Sequence, residues 1–146
     1  MKIIDNFYTM PTAGYSGTPL AKKLGIKAGF TIKIVNAPKD YFDFFADLPS
    51  DLQNVSDTET KKDFIHYFTK SADALRADIT NLKEEIEQNG MIWISWPKKA
   101  SKIETDLNGN SVREIGLNAG LVDVKVCAVN EIWSGHKFVI PTKDRK

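Results

Sequence analysis

The apolar positions of this chain recur with two periods, and each period predicts elements. Ala72, Leu75, Ile79, Leu82 and Ile86 follow one another at steps of 3, 4, 3 and 4, a single helical stripe. Ser71 before it is an N-cap residue, Asp73 suits the first turn, and Asn89-Gly90 is a stop signal. Tyr41, Phe44, Phe45 and Leu48 stand at i, i+3, i+4 and i+7, so a second helix is predicted over 40–48, closed by Pro49. That spacing makes its aromatics core packing rather than a base-stacking platform. A short helix is predicted from Thr18-Pro19 to Gly25, with Thr18 as N-cap and Pro19 at the first helical position. Another is predicted over 111–118, ending at Ala119-Gly120.

The strand-like runs alternate with these helices. Residues 30–35 and 63–68 are rich in β-formers, and Met91 to Trp96 is nearly continuous apolar sequence, as a strand covered on both faces reads. Val122, Val124, Val126 and Ala128 alternate with Asp123, Lys125 and Cys127. Ser134-Gly135 reads as a hairpin turn and 137–140 as the return strand. A short edge strand is expected within the polar stretch 49–62. Strands alternating with helices predict a mostly parallel sheet with right-handed crossovers. The fold class is therefore α/β, a three-layer Rossmann-like sandwich with a C-terminal antiparallel hairpin. It is expected to form one domain over 1–146, with an irregular segment 1–17 and a charged tail 142–146.

Composition narrows the function classes. Of 146 residues, 42% are hydrophobic and 27% charged, ordinary for a soluble domain with its own core. The net charge is +1, and neither half of the chain is polybasic, so a dedicated nucleic-acid binder is not expected. The absence of a long apolar run predicts neither a membrane span nor a signal peptide, and a cytoplasmic location. One cysteine, Cys127, forms no internal disulfide, and with only His66 and His136 beside it there is no structural zinc set. His66, in the middle of an apolar strand, reads as a packed histidine, Cys127 as a half-buried hydrophobe, and His136 as an exposed turn residue. No G-x-S-x-G or GxxxxGK[ST] run occurs, which sets aside serine-hydrolase and Walker-loop chemistry.

In open α/β sheets ligands bind beyond the carboxyl ends of the strands. Three segments are expected to leave the sheet there: Asn36-Ala37-Pro38, Thr69-Lys70-Ser71 and Trp96-Pro97-Lys98-Lys99. Helix N-termini and Lys70, Lys98 and Lys99 make this edge a candidate anion site, with Asn36 and Ser71 as polar neighbours and Trp96 as a flat stacking face. The loop 14–18, with the hydroxyls of Tyr15, Ser16 and Thr18, is a candidate cover.

The order of elements over 18–141 resembles class I S-adenosylmethionine-dependent methyltransferases. The run 24–29 is similar to the approach to their first strand. The unit from Phe64 to Trp96 resembles their fourth strand, helix and fifth strand, and the last helix and hairpin resemble their closing elements. A finer resemblance is to an uncharacterised bacterial family known as a domain of unknown function. It is carried by Gly14-Tyr15-Ser16-Gly17-Thr18-Pro19-Leu20, Lys23-Leu24-Gly25-Ile26-Lys27, Asn36-Ala37-Pro38, Trp93 to Lys99, Val126-Cys127-Ala128-Val129 and Trp133-Ser134-Gly135. The methyltransferase resemblance implies S-adenosylmethionine as the cofactor to test. Those enzymes follow the first strand with a Gly-x-Gly-type turn and place an acid after the second. Here the turn is Asn36-Ala37-Pro38, and Asp51 and Asp57 are the acids on offer.

No cofactor and no metal are therefore predicted, and the expected function is a non-catalytic binding or regulatory module taking a small anionic ligand. The alternatives are an S-adenosylmethionine-dependent or other small-molecule enzyme with an atypical first loop, and a structural or protein-interaction domain working through Phe7, Tyr8, Trp93, Trp96 and Trp133.

Overall fold

The computed structural model describes residues 18–146. Six strands make one sheet in the order β2-β1-β3-β4-β6-β5. They are β1 (Thr31–Val35), β2 (Gln53–Asn54), β3 (Lys62–Phe68), β4 (Ile86–Pro97), β5 (Val122–Ala128) and β6 (Trp133–Val139). The first four are parallel, and β4, β6 and β5 are antiparallel. Three helices accompany them: α1 (Leu20–Leu24), α2 (Ala72–Glu84) and α3 (Gly109–Asn118). α2 and α3 bury their stripes against Ile65, Tyr67, Ile92, Ile94 and Phe138 on one face. α1 and a 3₁₀ turn, Tyr41–Phe44, pack on Phe64, Phe68, Trp93 and Trp133 on the other. This is the expected three-layer α/β sandwich, and the short β2 is the expected edge strand. Among the described residues no helix is long and apolar enough to cross a membrane.

Several expected boundaries move. α2 starts as predicted, with the Ser71 hydroxyl accepting from the Ala74 amide, but stops at Glu84. The Lys62 amide donates to the Glu85 carbonyl (2.8 Å), so the chain passes straight into β4 and Ile86 becomes a strand residue. Gly90 sits in that strand beside a register shift, where a Cβ would lie 2.9 Å from the Lys62 carbonyl oxygen. It permits a close backbone approach rather than ending a helix.

The predicted helix over 40–48 shrinks to the single 3₁₀ turn, and Thr18 is not the cap of α1. One contact explains both. The Asp47 carboxylate accepts from the amides of Ala21 (3.0 Å) and Lys22 (3.1 Å), which draws the chain after Phe45 away from helical geometry. The free amides at the start of α1 are thus met from 26 residues away, while Pro19 holds the cap position with extended dihedrals.

The hairpin connection spans residues 129–132, ahead of the predicted Ser134-Gly135. Asn130 accepts from the amides of Ile132 and Trp133, and β6 already contains Ser134 and Gly135. His136 is therefore a buried strand residue stacked on Phe138, not an exposed turn residue. The alternating run forms β5 as expected, but its valines are exposed, Val124 at 51% and Val126 at 58%. β5 is the outermost strand, and a register shift between Asp123 and Lys125 breaks its period.

Candidate functional site at the carboxyl edge

β1, β3 and β4 end on the same edge of the sheet. Asn36 leaves β1 with φ 59, a left-handed conformation that favours glycine. The Thr69 amide donates to the Ser95 carbonyl (3.0 Å), and the Ser71 amide donates to the Thr69 hydroxyl (3.1 Å). Asn36, Phe68, Thr69, Lys70 and Trp133 line a shallow depression of about 270 Å³. Trp133 stands edge-on to Phe68, with ring centroids 5.1 Å apart. The Lys98 amide donates to the Ile132 carbonyl (2.7 Å), so the Lys98-Lys99 turn leaves β4 beside the loop that leads into Trp133.

Of the expected site residues, Asn36 and Lys70 share this depression. Ser71 is half-buried and committed to capping α2, Lys98 is half-buried, and Lys99 is exposed. Thr18 is exposed just ahead of α1, while Tyr15 and Ser16 fall outside the described residues.

Two expectations for this edge are corrected. Trp96 is not a stacking face: it is 6% exposed and buried with Leu107 and Val112 under α3. It shares the sheet face of Ile92 and Ile94, which turns it away from the mouth of the edge. Trp133 lines the depression, but at 9% exposed it too is largely core. The N-terminus of α2 is not open to an outside anion either. Its Ala72 amide donates to the Asp106 carboxylate (2.8 Å), and the Lys70 carbonyl accepts from the Thr105 hydroxyl (2.7 Å) and the Asp106 amide (3.3 Å). A carboxylate of the chain itself occupies the place where the helix dipole favours negative charge.

Behind the depression runs a buried polar chain. The Tyr41 hydroxyl lies 2.9 Å from His66 Nδ1, and His66 Nε2 lies 2.8 Å from the Ser95 hydroxyl. Serine, histidine and tyrosine in a row have the outline of a nucleophile and its base, but His66 and Ser95 are fully buried. Burial pushes His66 down to about 3 and Tyr41 far above the ordinary phenol range, so both stay neutral and the chain pairs buried polar groups. His66 is the packed histidine expected from the sequence. Among the described residues no group of His, Cys, Asp and Glu could hold a metal ion.

The residues present differ from the Gly-x-Gly turn and second-strand acid that the methyltransferase resemblance implies. An asparagine stands in the first turn, the Tyr41–Phe44 turn follows it, and the Asp106 carboxylate accepts from the α2 terminus. Asp51 precedes β2, and the Asp57 carboxylate is taken by the amides of Glu59 and Thr60 and the Thr60 hydroxyl. The Asp57 backbone carbonyl accepts from Lys62, the first residue of β3, so Asp57 lies towards the amino ends of the strands.

Solved structures similar to this chain include methyltransferases. One is a TehB-like SAM-dependent methyltransferase from Corynebacterium glutamicum, with 12% identity, TM-score 0.55, and 88% of this chain and 90% of that chain covered. Another is magnesium protoporphyrin IX methyltransferase from Synechocystis, solved with bound SAH, with 9% identity, TM-score 0.54 and coverage of 82% and 78%. A third is a SAM-dependent methyltransferase from Aquifex aeolicus, with 16% identity, TM-score 0.53 and coverage of 80% and 85%. At such identities the likeness shows the fold alone. No curated protein matches. The family model for DUF3052, described as a protein of unknown function, matches residues 21–142, and the chain belongs to that family.

Proposed function

We propose that this chain is a non-catalytic binding or regulatory module on a methyltransferase-like fold, taking a small anionic ligand at its carboxyl edge. The observation that carries this reading is the depression itself, which Lys70, Thr69 and Asn36 line together with Trp133 and Phe68. Lys70 is the charged residue of that lining, and Lys98 and Lys99 flank it on the β4 exit. Tyr41, His66 and Ser95 are engaged with one another below the surface, which supports binding rather than turnover.

The second reading is an S-adenosylmethionine-dependent enzyme with an atypical first loop. The methyltransferases that match most of this chain favour it. One titration separates the two. Thermal unfolding is followed with nucleoside monophosphates, S-adenosylmethionine and S-adenosylhomocysteine. A ligand at 100 times its dissociation constant adds about 2.7 kcal/mol, roughly 5 °C or somewhat less at this size. The module reading expects a saturable rise with a nucleotide that shrinks in Lys70→Ala and in Lys98→Ala with Lys99→Ala. A rise of that size with S-adenosylmethionine alone favours the enzyme, and no rise with any of them removes the edge as a ligand site.

A further inference from the structure

The α1 face of the sheet carries a separate charged cluster. Lys125 on β5 and Lys137 on β6 are direct partners across the antiparallel pair. Side chains directly opposite on one face are near neighbours, and like charges there repel. Lys137 is itself the partner of Trp93, whose indole N–H donates to the Leu24 carbonyl at the end of α1 (2.8 Å). The Lys137 ammonium consequently lies over the exit of α1, 3.9 Å from where a Cβ on Gly25 would stand. Lys27 follows in the next turn, and Lys23 reaches across from α1 to donate to the Ala128 carbonyl (2.9 Å). β5, β6 and the turn after α1 thus bring the ammonium groups of Lys125, Lys137 and Lys27 together, with Lys23 reaching β5 beside them.

Among the described residues, no carboxylate lies within ion-pair distance of Lys27, Lys125 or Lys137. Burial and the nearby charges of Lys125 and Lys27 hold Lys137 below the ordinary lysine range. A half-buried ammonium held between two others is an electrostatic cost that a multivalent anion removes. We propose that this face is a second anion site, in which Lys27, Lys125 and Lys137 hold a compact phosphate chain over Gly25. Trp93, the aromatic beneath, is fully buried and offers no face to a base, so the phosphates are what the site recognises. The site lies on the sheet face under α1, apart from the depression that contains Lys70.

Calorimetric titration with inorganic tripolyphosphate at constant ionic strength tests it. The wild type is expected to bind one equivalent saturably. Lys125→Gln with Lys137→Gln is expected to bind at least tenfold more weakly. Without ligand, the same variant is expected to melt no lower than the wild type, because a repulsion has been removed. Lys27→Gln, in an exposed turn, is expected to weaken binding several-fold and serves if the double variant misfolds. Lys70→Ala is expected to bind as the wild type does. Four results overturn the proposal: heats that sodium sulfate reproduces at equal ionic strength, unchanged affinity in both lysine variants, loss of binding in Lys70→Ala, or tighter binding of a single-stranded oligonucleotide than of tripolyphosphate.

Discussion

One methyl group at Gly116 probes the packing of α3 on the sheet. A Cβ there would fall 2.2 Å from Phe138 Cε1, inside a ring already stacked on His136. Gly116→Ala gains helix propensity of about 1 kcal/mol yet forces Phe138 or α3 to move, and overpacking of this kind costs about 1–3 kcal/mol. The expected net is a loss of up to about 2 kcal/mol, read as a lower urea midpoint with unchanged slope. A midpoint at or above wild type would show that Phe138 yields freely. At this scale the sequence was legible where chemistry was local. A histidine inside Phe64-Ile65-His66-Tyr67-Phe68 has to be packed, and His66 is. Which tryptophan faces the carboxyl edge was not legible. In a strand buried on both faces no polar alternation marks the two sides, so Trp96 and Trp93 look alike in sequence while pointing opposite ways.

The same division between local and remote partners separates the elements. The start of α2 was legible because its cap is near in sequence, Ser71 accepting from Ala74. α3, by contrast, begins at Gly109, two residues before the expected Ser111, because Asn108 and Ser111 exchange bonds in a capping box. The prediction failed over 40–48 because its apolar spacing is helical while Asp47 is bound to α1, a contact invisible to any local window. Asp47→Ala is expected to cost about 1–2 kcal/mol, the upper range for a cap, since it strands two amides together. Thermal unfolding reads this, and a loss no larger than that of an exposed Asp43→Ala would mean water replaces the carboxylate without penalty. Asp106 is the counterpart at α2. Asp106→Ala is expected to lower stability by about 1 kcal/mol and to tighten binding of an anionic ligand at the carboxyl edge, because the helix N-terminus is then uncovered. Unchanged affinity in that variant would separate the edge depression from the α2 terminus. The strand order of the sheet was legible only as a class. The exposed valines of β5 show why: alternation reports a strand, not whether a neighbour covers it.

The molecule as a whole keeps both histidines buried and neutral, and this sets how its stability responds to acid. Burial depresses His66 to about 3 and holds His136 below its ordinary value even with the Asp123 carboxylate 3.3 Å away. In the unfolded chain both take up a proton near pH 6.5, while the native state binds fewer, so stability falls as pH drops below that value. For His66 the slope is about 1.4 kcal/mol per pH unit and runs on towards pH 3, or about 2 kcal/mol between pH 6.5 and 5. Glu85, held low by Lys33 and Lys62 at 2.8 and 2.9 Å, acts with the opposite protonation logic in a lower window. Its contribution is present above the unfolded carboxylate value and disappears as pH falls through the depressed native one. Urea unfolding at pH 7 and pH 5 therefore isolates the histidines. The wild type is expected to lose at least about 2 kcal/mol between them, and His66→Gln, though less stable at pH 7, to lose about 2 kcal/mol less over the same interval. Parallel losses in the two proteins would mean that His66 takes its proton in the native state, and that the Tyr41–His66–Ser95 chain opens to water instead of remaining a sealed part of the core.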